Sequence, residues 1–312
     1  MNIAEEDIEW EEGETPSPTA VSTPTIVLFG LGSHPVLGEL YQLLQSRGRR
    51  RVVFVPVESF PTGLEFSLHQ ADGEHDGHLL VDGEEPILFG DIVSVCLDGY
   101  YIVAGGEGLS EEDQEYRQAE SWAALVALFK SLSRSSLVAN HVVDRDHFQS
   151  RLSELYLLHS YGLKVPRTLV TSHAEEARAF IQSLGKVLYR PVMGKDHPFR
   201  ELLPEDLARL DEVGLAPVHF EEAGEGSPAG CVVVGSRLLV IPDDIQLPAS
   251  LTEGLLKLCQ DLGLHLAEFR LRSHPDGWLV TGLHPFLTME GLQDPEVVQA
   301  TLELLEFGLE ES

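Results

Sequence analysis

The sequence predicts an α/β fold with more than one domain, and three observations lead to this prediction. The chain has 312 residues, which is enough for two or three subdomains. Hydrophobic residues make up 43% of the chain, a content typical of an ordinary soluble α/β protein. Short apolar runs typical of buried strands alternate with segments whose apolar residues recur every three or four positions, as in helices.

The first half of the chain begins with a predicted β-α-β unit. Thr25–Phe29 is an apolar run typical of a buried strand, and the apolar positions of Val36–Leu44 have helical spacing. Gly48 marks the end of that helix, where neighbouring arginines interact favourably with the negative end of the helix dipole. Val52–Val57 is the second predicted strand. Leu64–His69 and Leu79–Val81 are predicted to form a two-stranded excursion around the polar turn Asp72–Gly77, and Asp91–Leu97 is a further predicted strand.

The second half is predicted to alternate helices with strands and to end in a helix. A helix at Phe148–Tyr161 and a strand at Val165–Thr171 open it. Cys231–Val234 and Leu238–Ile241 are predicted to form a hairpin across Gly235-Ser236. The other elements predicted from apolar spacing are strands at Lys186–Pro191, Val218–Glu222, Leu264–Leu271 and Gly277–Leu283, and helices from Glu107 through Phe129 and at His173–Leu184, Leu202–Leu210, Leu251–Leu262 and Pro295–Phe307.

Charge and composition exclude two classes of partner. The 51 acidic and 21 basic residues give a net charge of −30. This field repels phosphate backbones and anionic lipid, so we predict no nucleic-acid partner and no membrane partner. No apolar run approaches the roughly 18 residues of a membrane span, and the acidic N-terminus differs from a secretory signal. Widely spaced Cys96, Cys231 and Cys259 fit buried thiols, so we expect a cytoplasmic protein.

Residues 1–24 are predicted to be a disordered acidic tail, because such a segment buries too little apolar surface to fold alone. Ile8 and Trp10 lie inside its acidic run. One interpretation is that they form a docking motif for a basic protein partner. The alternative is that they have no function, as is common in disordered tails.

Two groups of residues suggest sites that their spacing does not support. Gly30-Leu-Gly32 follows the first strand, but its spacing to Gly38 departs from the dinucleotide-binding pattern GxGxxG, so a tight turn is the better prediction. The histidines of His69–His78 suggest a metal site, but they surround a predicted polar turn, Asp72–Gly77, that fixes no ligand geometry. A solvated loop is the better prediction there.

The order of segments from Arg151 to Pro285 resembles that of ATP-grasp domains. Arg151–Leu155 and Gly162–Thr171 resemble their opening helix and strand. Leu188–Gly194 is similar to the strand and loop that carry their phosphate-binding lysine. Leu266–Leu271 resembles the strand with the first metal ligand, and the strand that ends at Pro285 resembles their last metal-binding strand. Within the superfamily the pattern is most similar to enzymes related to glutathione synthetase and to the microviridin-type peptide ligases.

This resemblance implies a specific α/β organisation. Residues 25–139 resemble the pre-ATP-grasp domain of the same enzymes. After the tail of residues 1–24, we therefore expect an N-terminal pre-ATP-grasp α/β domain over 25–139. An ATP-grasp domain of two α+β subdomains is expected over 140–312, with a lid at roughly 168–220.

The resemblance also locates the metal ligands of these enzymes, and none of the usual residues is present. ATP-grasp ligases make an acyl phosphate with the help of Mg²⁺, which prefers carboxylate and amide oxygens. The Asp position is Arg270, the Glu position is Gly282 and the Asn position is His284. Glycine offers no ligand, imidazole suits softer metals, and a guanidinium places a cation where the metal would lie. The phosphate-binding Lys position is Arg190, and Ser227–Cys231 lacks the usual arginine.

Three functions remain compatible with this pattern. The main prediction is a degenerate ATP-grasp protein, without catalytic or metal-binding residues, that binds or regulates a protein partner. The second is binding of ATP without Mg²⁺, with Arg270 replacing the charge of the metal. The third is an ATP-dependent ligase that forms C–N bonds on a peptide or amino-acid substrate with rearranged ligands. The candidate nucleotide cleft consists of Lys186, Arg190, Lys195, Glu221, Glu222, Arg270 and His284, and the carboxylates available for rearrangement are Glu221, Glu222, Glu268 and Glu290.

Overall fold

The computed structural model describes residues 23–60, 63–71, 74–98, 108–140, 150–192, 199–224 and 226–308. The predicted docking residues Ile8 and Trp10 lie outside this part of the chain, and so does the candidate phosphate contact Lys195. Within the described ranges, no helix is both long enough and apolar enough to cross a bilayer.

Strands and helices alternate over most of the described chain. The strands are β1 (Thr25–Gly30), β2 (Arg51–Pro56), β3 (Leu64–Ala71), β4 (Glu74–Val81), β5 (Ile87–Leu88), β6 (Ile92–Asp98), β7 (Leu137–Ala139), β8 (Thr168–Thr171), β9 (Val187–Pro191), β10 (Arg200–Glu201), β11 (Val218–Glu222), β12 (Pro228–Val234), β13 (Arg237–Ile241), β14 (Leu266–His274) and β15 (Gly277–His284). The α-helices are α1 (Pro35–Arg47), α2 (Glu111–Leu132), α3 (Arg151–Ser160), α4 (Ala174–Ser183), α5 (Pro204–Leu207), α6 (Ala249–Leu262) and α7 (Pro295–Phe307).

The first sheet is parallel and has the strand order β2-β1-β6-β7. Every residue of β1 is buried, because α1 and α7 pack on one face of the sheet and α2 packs on the other. Helix α1 ends at Gly48, whose φ of 60° is a left-handed conformation that glycine adopts without strain. The predicted β-α-β unit is therefore confirmed, including the glycine that ends its helix.

Strands β3, β4 and β5 form a small antiparallel sheet, and the two strands predicted at Leu64–His69 and Leu79–Val81 are confirmed as parts of β3 and β4. β3 and β4 pair along their full length, so most of the predicted turn Asp72–Gly77 is strand, and the loop prediction for its histidines was wrong. Gly77 allows the close approach, since a Cβ at this position would lie 2.2 Å from the carbonyl oxygen of Ser67. Cross-strand pairs such as His69 with Asp76 are non-local contacts, and apolar spacing does not reveal them.

Two antiparallel four-stranded sheets form the second half of the chain. The middle sheet has the order β10-β9-β11-β8 and the C-terminal sheet has the order β13-β12-β14-β15. Helix α4 packs on the middle sheet, whereas α3 and α6 pack on the C-terminal sheet. The predicted hairpin is confirmed as β12 and β13, with Gly235 in the turn at a φ of 60°.

The helix predicted at Leu202–Leu210 is shorter than expected. Helix α5 ends at Leu207, and a 3₁₀ helix follows at Leu210–Leu215. The 3₁₀ helix contributes Leu210 and Val213 to the core that packs on the middle sheet.

The three cysteines are buried and form no disulfide, as predicted. Burial raises the pKa of Cys231 and of Cys259 to about 12. Both thiols are therefore protonated near neutral pH, and a protonated thiol is neither a nucleophile nor a good metal ligand. We interpret them as core residues.

Candidate functional site

The three positions that the resemblance assigns to metal ligands lie close together on the C-terminal sheet. Arg270 of β14 pairs with Gly282 of β15. His284 lies two residues further along β15, opposite Glu268 of β14. Alternate residues of a strand point to the same face, so these side chains lie on the face opposite to the buried Phe269. We call Arg270, Gly282 and His284 the degenerate row.

The degenerate row offers no oxygen ligand for Mg²⁺. The aliphatic part of Arg270 lies beside Gly282, where an added Cβ would be 3.6 Å from the arginine Cβ and Cδ. Among the described residues, the guanidinium of Arg270 has no ion-pair partner. Nδ1 of His284 lies 3.1 Å from the carbonyl oxygen of Phe286. A guanidinium, a glycine and an imidazole do not fit the hard-oxygen coordination of Mg²⁺.

Glu268, the carboxylate opposite His284, is already engaged. Its Oε1 accepts a hydrogen bond of 2.6 Å from the backbone N–H of Thr288, and its Oε2 accepts one of 2.7 Å from the Thr288 hydroxyl. The other carboxylate considered near the end of the chain, Glu290, is exposed. In the ranges that the structure describes, no group of three His, Cys, Asp or Glu residues could hold a metal ion.

The cation predicted for phosphate binding, Arg190, is enclosed. It lies on β9 opposite His219 of β11 and is only 9% exposed. The carbon at the centre of its guanidinium lies 4.4 Å from the ring centroid of Phe199, and no described group accepts a hydrogen bond from its Nε. Burial lowers the pKa of Arg190, and the nearby positive charge of Arg151 adds to this effect. The aromatic ring therefore closes one face of the guanidinium, and little of the rest reaches solvent.

Glu221, a residue of the candidate nucleotide cleft, is held by an arginine that was not selected from the sequence. Arg151, at the start of α3, donates to both carboxylate oxygens of Glu221, with Nε–Oε2 and Nη2–Oε1 distances of 3.1 Å. Its Nη1 donates to Oε1 of Glu154 at 2.7 Å, and its Nη2 donates to the carbonyl oxygen of Thr281 at 2.8 Å. The backbone N–H of Leu283 donates to the same Glu154 oxygen at 2.8 Å. These contacts connect α3, β11 and β15.

The charges in this network stabilise one another. Burial alone raises the pKa of the Glu221 carboxyl, but the neighbouring His219 and Arg151 outweigh it and bring the pKa below its ordinary value. His219 Nε2 is 3.7 Å from Glu221 Oε2, which is too far for a hydrogen bond, so we assign the lowering mainly to Arg151. Burial also disfavours the charged form of Arg151, yet Glu221 and Glu154 raise its pKa overall. Arg151 and Glu221 are therefore both ionised near neutral pH.

The other candidates that the structure describes, Glu222 and Lys186, form ion pairs nearer the surface. Glu222 pairs with Arg167 at 3.2 Å, and Lys186 lies 3.8 Å from Glu201. Glu222 and Arg167 also line a surface groove of about 770 Å³ near the end of α3, together with His274. Neither Arg190 nor any residue of the degenerate row lines this groove.

Three contacts of the candidate site were not predicted from the sequence: Arg151 with Glu154, Arg151 with Glu221, and Phe199 with Arg190. Arg151 and Glu154 carry opposite charges three positions apart at a helix start, which is a visible signal for an ion pair. Nothing in the local pattern links Arg151 to Glu221, 70 positions away. Phe199 comes five positions after Gly194 in the sequence and has no spacing signal that would place it over Arg190.

Comparisons with known proteins identify the fold. No protein-family model and no curated protein matches the chain. Among solved structures, the macrocyclase MdnC from Microcystis aeruginosa MRC, bound with precursor peptide MdnA, is 17% identical with a TM-score of 0.67, over 90% of this chain and 99% of that one. A RiPP-associated ATP-grasp ligase of Chryseobacterium gregarium, in complex with ADP and a leader and core peptide, is 16% identical with a TM-score of 0.69, over 91% and 96%. The ATP-grasp ligase PsnB, complexed with minimal precursor, Mg and ADP, is 20% identical with a TM-score of 0.68, over 90% and 98%.

The chain has an ATP-grasp fold. The fold class predicted from the order of segments is therefore confirmed over about nine-tenths of the chain. Within this ATP-grasp fold, the residues of the candidate cleft do not form one open constellation. Arg270 and His284 are exposed on the C-terminal sheet, Arg190 is covered by Phe199, and Glu221 is paired with Arg151.

Proposed function

We propose that this ATP-grasp protein is non-catalytic and acts by binding a protein or peptide partner. The observation that carries the proposal is the degenerate row, which presents no hard oxygen where acyl-phosphate chemistry needs Mg²⁺. Glu268, the carboxylate beside the row, already accepts one hydrogen bond from Thr288 on each of its oxygens. No step that depends on a bound metal is therefore part of the proposed function.

Binding of a nucleotide without Mg²⁺ is compatible with this proposal. Arg270 is exposed and has no ion-pair partner among the described residues, so its charge is available to an anionic ligand. Arg190 is less available, because Phe199 covers it. A contribution from Lys195 stays a prediction from the sequence.

The nature of the partner is suggested by similar folds. MdnC and PsnB were solved with precursor peptides bound, which favours a peptide or an extended protein segment as the partner here. The net charge of −30 favours a basic partner. We include docking through Ile8 and Trp10, and a cytoplasmic location, in the proposal as predictions from the sequence.

The alternative is an active ATP-dependent ligase that acts on a peptide, as similar folds with Mg and ADP suggest. It requires at least two free carboxylates near Arg270. Glu221 is bound to Arg151 and Glu222 to Arg167, while Glu268 is bound to Thr288. Glu290 is exposed, but among the described residues no three His, Cys, Asp or Glu side chains are grouped so that they could hold a metal ion.

Calorimetric titration of the full chain with ATP, with and without Mg²⁺, tests the proposal. We expect that Mg²⁺ does not raise any affinity for ATP, because the degenerate row offers the metal no oxygen ligand from its side chains. If ATP binds, Arg270→Ala should abolish the binding, whereas Arg237→Ala should not, since Arg237 is an exposed arginine on β13 paired with Glu296. ATP binding that requires Mg²⁺, followed by release of ADP on addition of a peptide, would overturn the proposal in favour of the ligase.

A further inference from the structure

A single buried arginine connects the middle sheet to the C-terminal sheet. Arg151 and Glu154 belong to α3, and α3 packs into the core of the C-terminal sheet through Leu155 and Leu158. From this position Arg151 reaches Glu221 on β11 of the middle sheet. β11 lies between β9 and β8, so the contact is made to an interior strand and not to an edge.

The geometry of the Arg151–Glu221 contact restricts the rotation of the two sheets relative to each other as well as their separation. All three guanidinium nitrogens of Arg151 donate hydrogen bonds, and the pair with Glu221 is bidentate. A bidentate pair fixes the relative plane of its two groups, which a lysine at the same place would not do. The bond from Leu283 to Glu154 ties the same helix to β15. The residues that Arg151 and Glu154 contact outside α3 therefore lie on two different strands, β11 and β15.

The charge balance makes the contact either fully formed or broken. Two carboxylates, Glu154 and Glu221, surround one guanidinium, and side-chain exposure is 6% for Arg151 and for Glu154, and 4% for Glu221. If Arg151 moved away, two buried carboxylates would lose the cation that is hydrogen-bonded to both of them, which is strongly unfavourable. Intermediate arrangements with a partly separated pair are therefore costly.

From these contacts we infer that Arg151 is a clamp that fixes the orientation of the middle sheet against the C-terminal sheet. In enzymes with a moving lid, the lid opens and closes in each catalytic cycle. A clamped sheet instead presents one fixed shape to a ligand. The inference concerns conformation alone, so it stands or falls independently of the proposed function.

Amide hydrogen exchange of the full chain, read by mass spectrometry, tests the clamp. In Arg151→Met we expect the amides of β8, β9 and β11 to exchange about tenfold faster or more, while those of β1 and β6 in the first sheet change less. Arg151→Lys keeps the charge but loses the bidentate pair, so it should show the same local pattern more weakly and covers the case in which Arg151→Met does not fold. Arg167→Met is the matched control. It removes the ion pair with the neighbouring Glu222, in which the arginine is 60% exposed, and should leave amide exchange in the middle sheet unchanged.

The clamp is contradicted by either of two results. Equal acceleration in the middle and first sheets would mean that Arg151 contributes only to global stability. No acceleration in the middle sheet for Arg151→Met and Arg151→Lys would mean that other contacts hold the two sheets together. Neither measurement involves nucleotide, metal or partner, so failure here leaves the proposed function untouched.

Discussion

Replacing Arg151 with methionine is expected to lower the free energy of unfolding by about 3–5 kcal/mol. The substitution keeps a similar side-chain length but removes the guanidinium that pairs with Glu154 and Glu221. Both carboxylates are nearly inaccessible to solvent, so each one must be protonated or hydrated when its partner is lost. Urea unfolding of the variant and of the unsubstituted chain at neutral pH measures the difference.

Two controls separate this effect from loss of packing. Arg167→Met removes a pair in which the arginine is 60% exposed, and we expect little change in stability. Adding Glu154→Leu and Glu221→Leu to Arg151→Met should recover most of the lost stability, because the cost comes from unpaired buried charge. If Arg151→Met were no more destabilising than Arg167→Met, Arg151 would not be the anchor of this network.

Restoring oxygen ligands to the degenerate row is expected to create a metal site. The variant Arg270→Asp, Gly282→Glu, His284→Asn supplies two carboxylates and an amide at cross-strand positions that already lie side by side. Gly282 tolerates a side chain, since an added Cβ would meet only the aliphatic part of Arg270 at ordinary contact distance. We expect Mg²⁺ to raise the ATP affinity of this variant by about tenfold or more, as measured by calorimetry.

Arg237→Asp on β13 is the matched charge control for this variant. It replaces an exposed arginine by aspartate as Arg270→Asp does, but away from the degenerate row, and should not create a response to Mg²⁺. A correctly folded triple variant that still ignores Mg²⁺ would mean that Arg270, Gly282 and His284 do not occupy the metal position of the fold.

The elements that could be predicted from the sequence are those with a local pattern. The buried run of β1, the helical spacing of α1 and the glycine at position 48 are all visible within a few residues, and the structure confirms them. The paired strands β14 and β15 could be predicted because their order along the chain resembles that of ATP-grasp domains. Strand register then brings Arg270 and Gly282 together without any further signal.

The contacts that decide the chemistry of the site could not be predicted in the same way. Arg151 and Glu221 are 70 positions apart, and Glu268 and Thr288 are 20 positions apart. Spacing along the chain does not say which side chain lies beside a carboxylate after folding. The sequence therefore identified Glu221 and Glu268 as free candidate ligands, whereas the structure has each of them bound to another residue.

The most direct test of the central claim is a titration of the full, unsubstituted chain with Mn²⁺ in the presence of ATP, followed by electron paramagnetic resonance. Mn²⁺ prefers the same oxygen ligands as Mg²⁺ and its bound and free forms differ in signal. The restored Arg270→Asp, Gly282→Glu, His284→Asn variant serves as the positive control. We predict that the unsubstituted chain leaves the signal at the level set by ATP alone. A stoichiometric decrease of that signal by the unsubstituted chain, caused by Mn²⁺ held between protein and ATP, would contradict the claim that this ATP-grasp fold has lost its metal site.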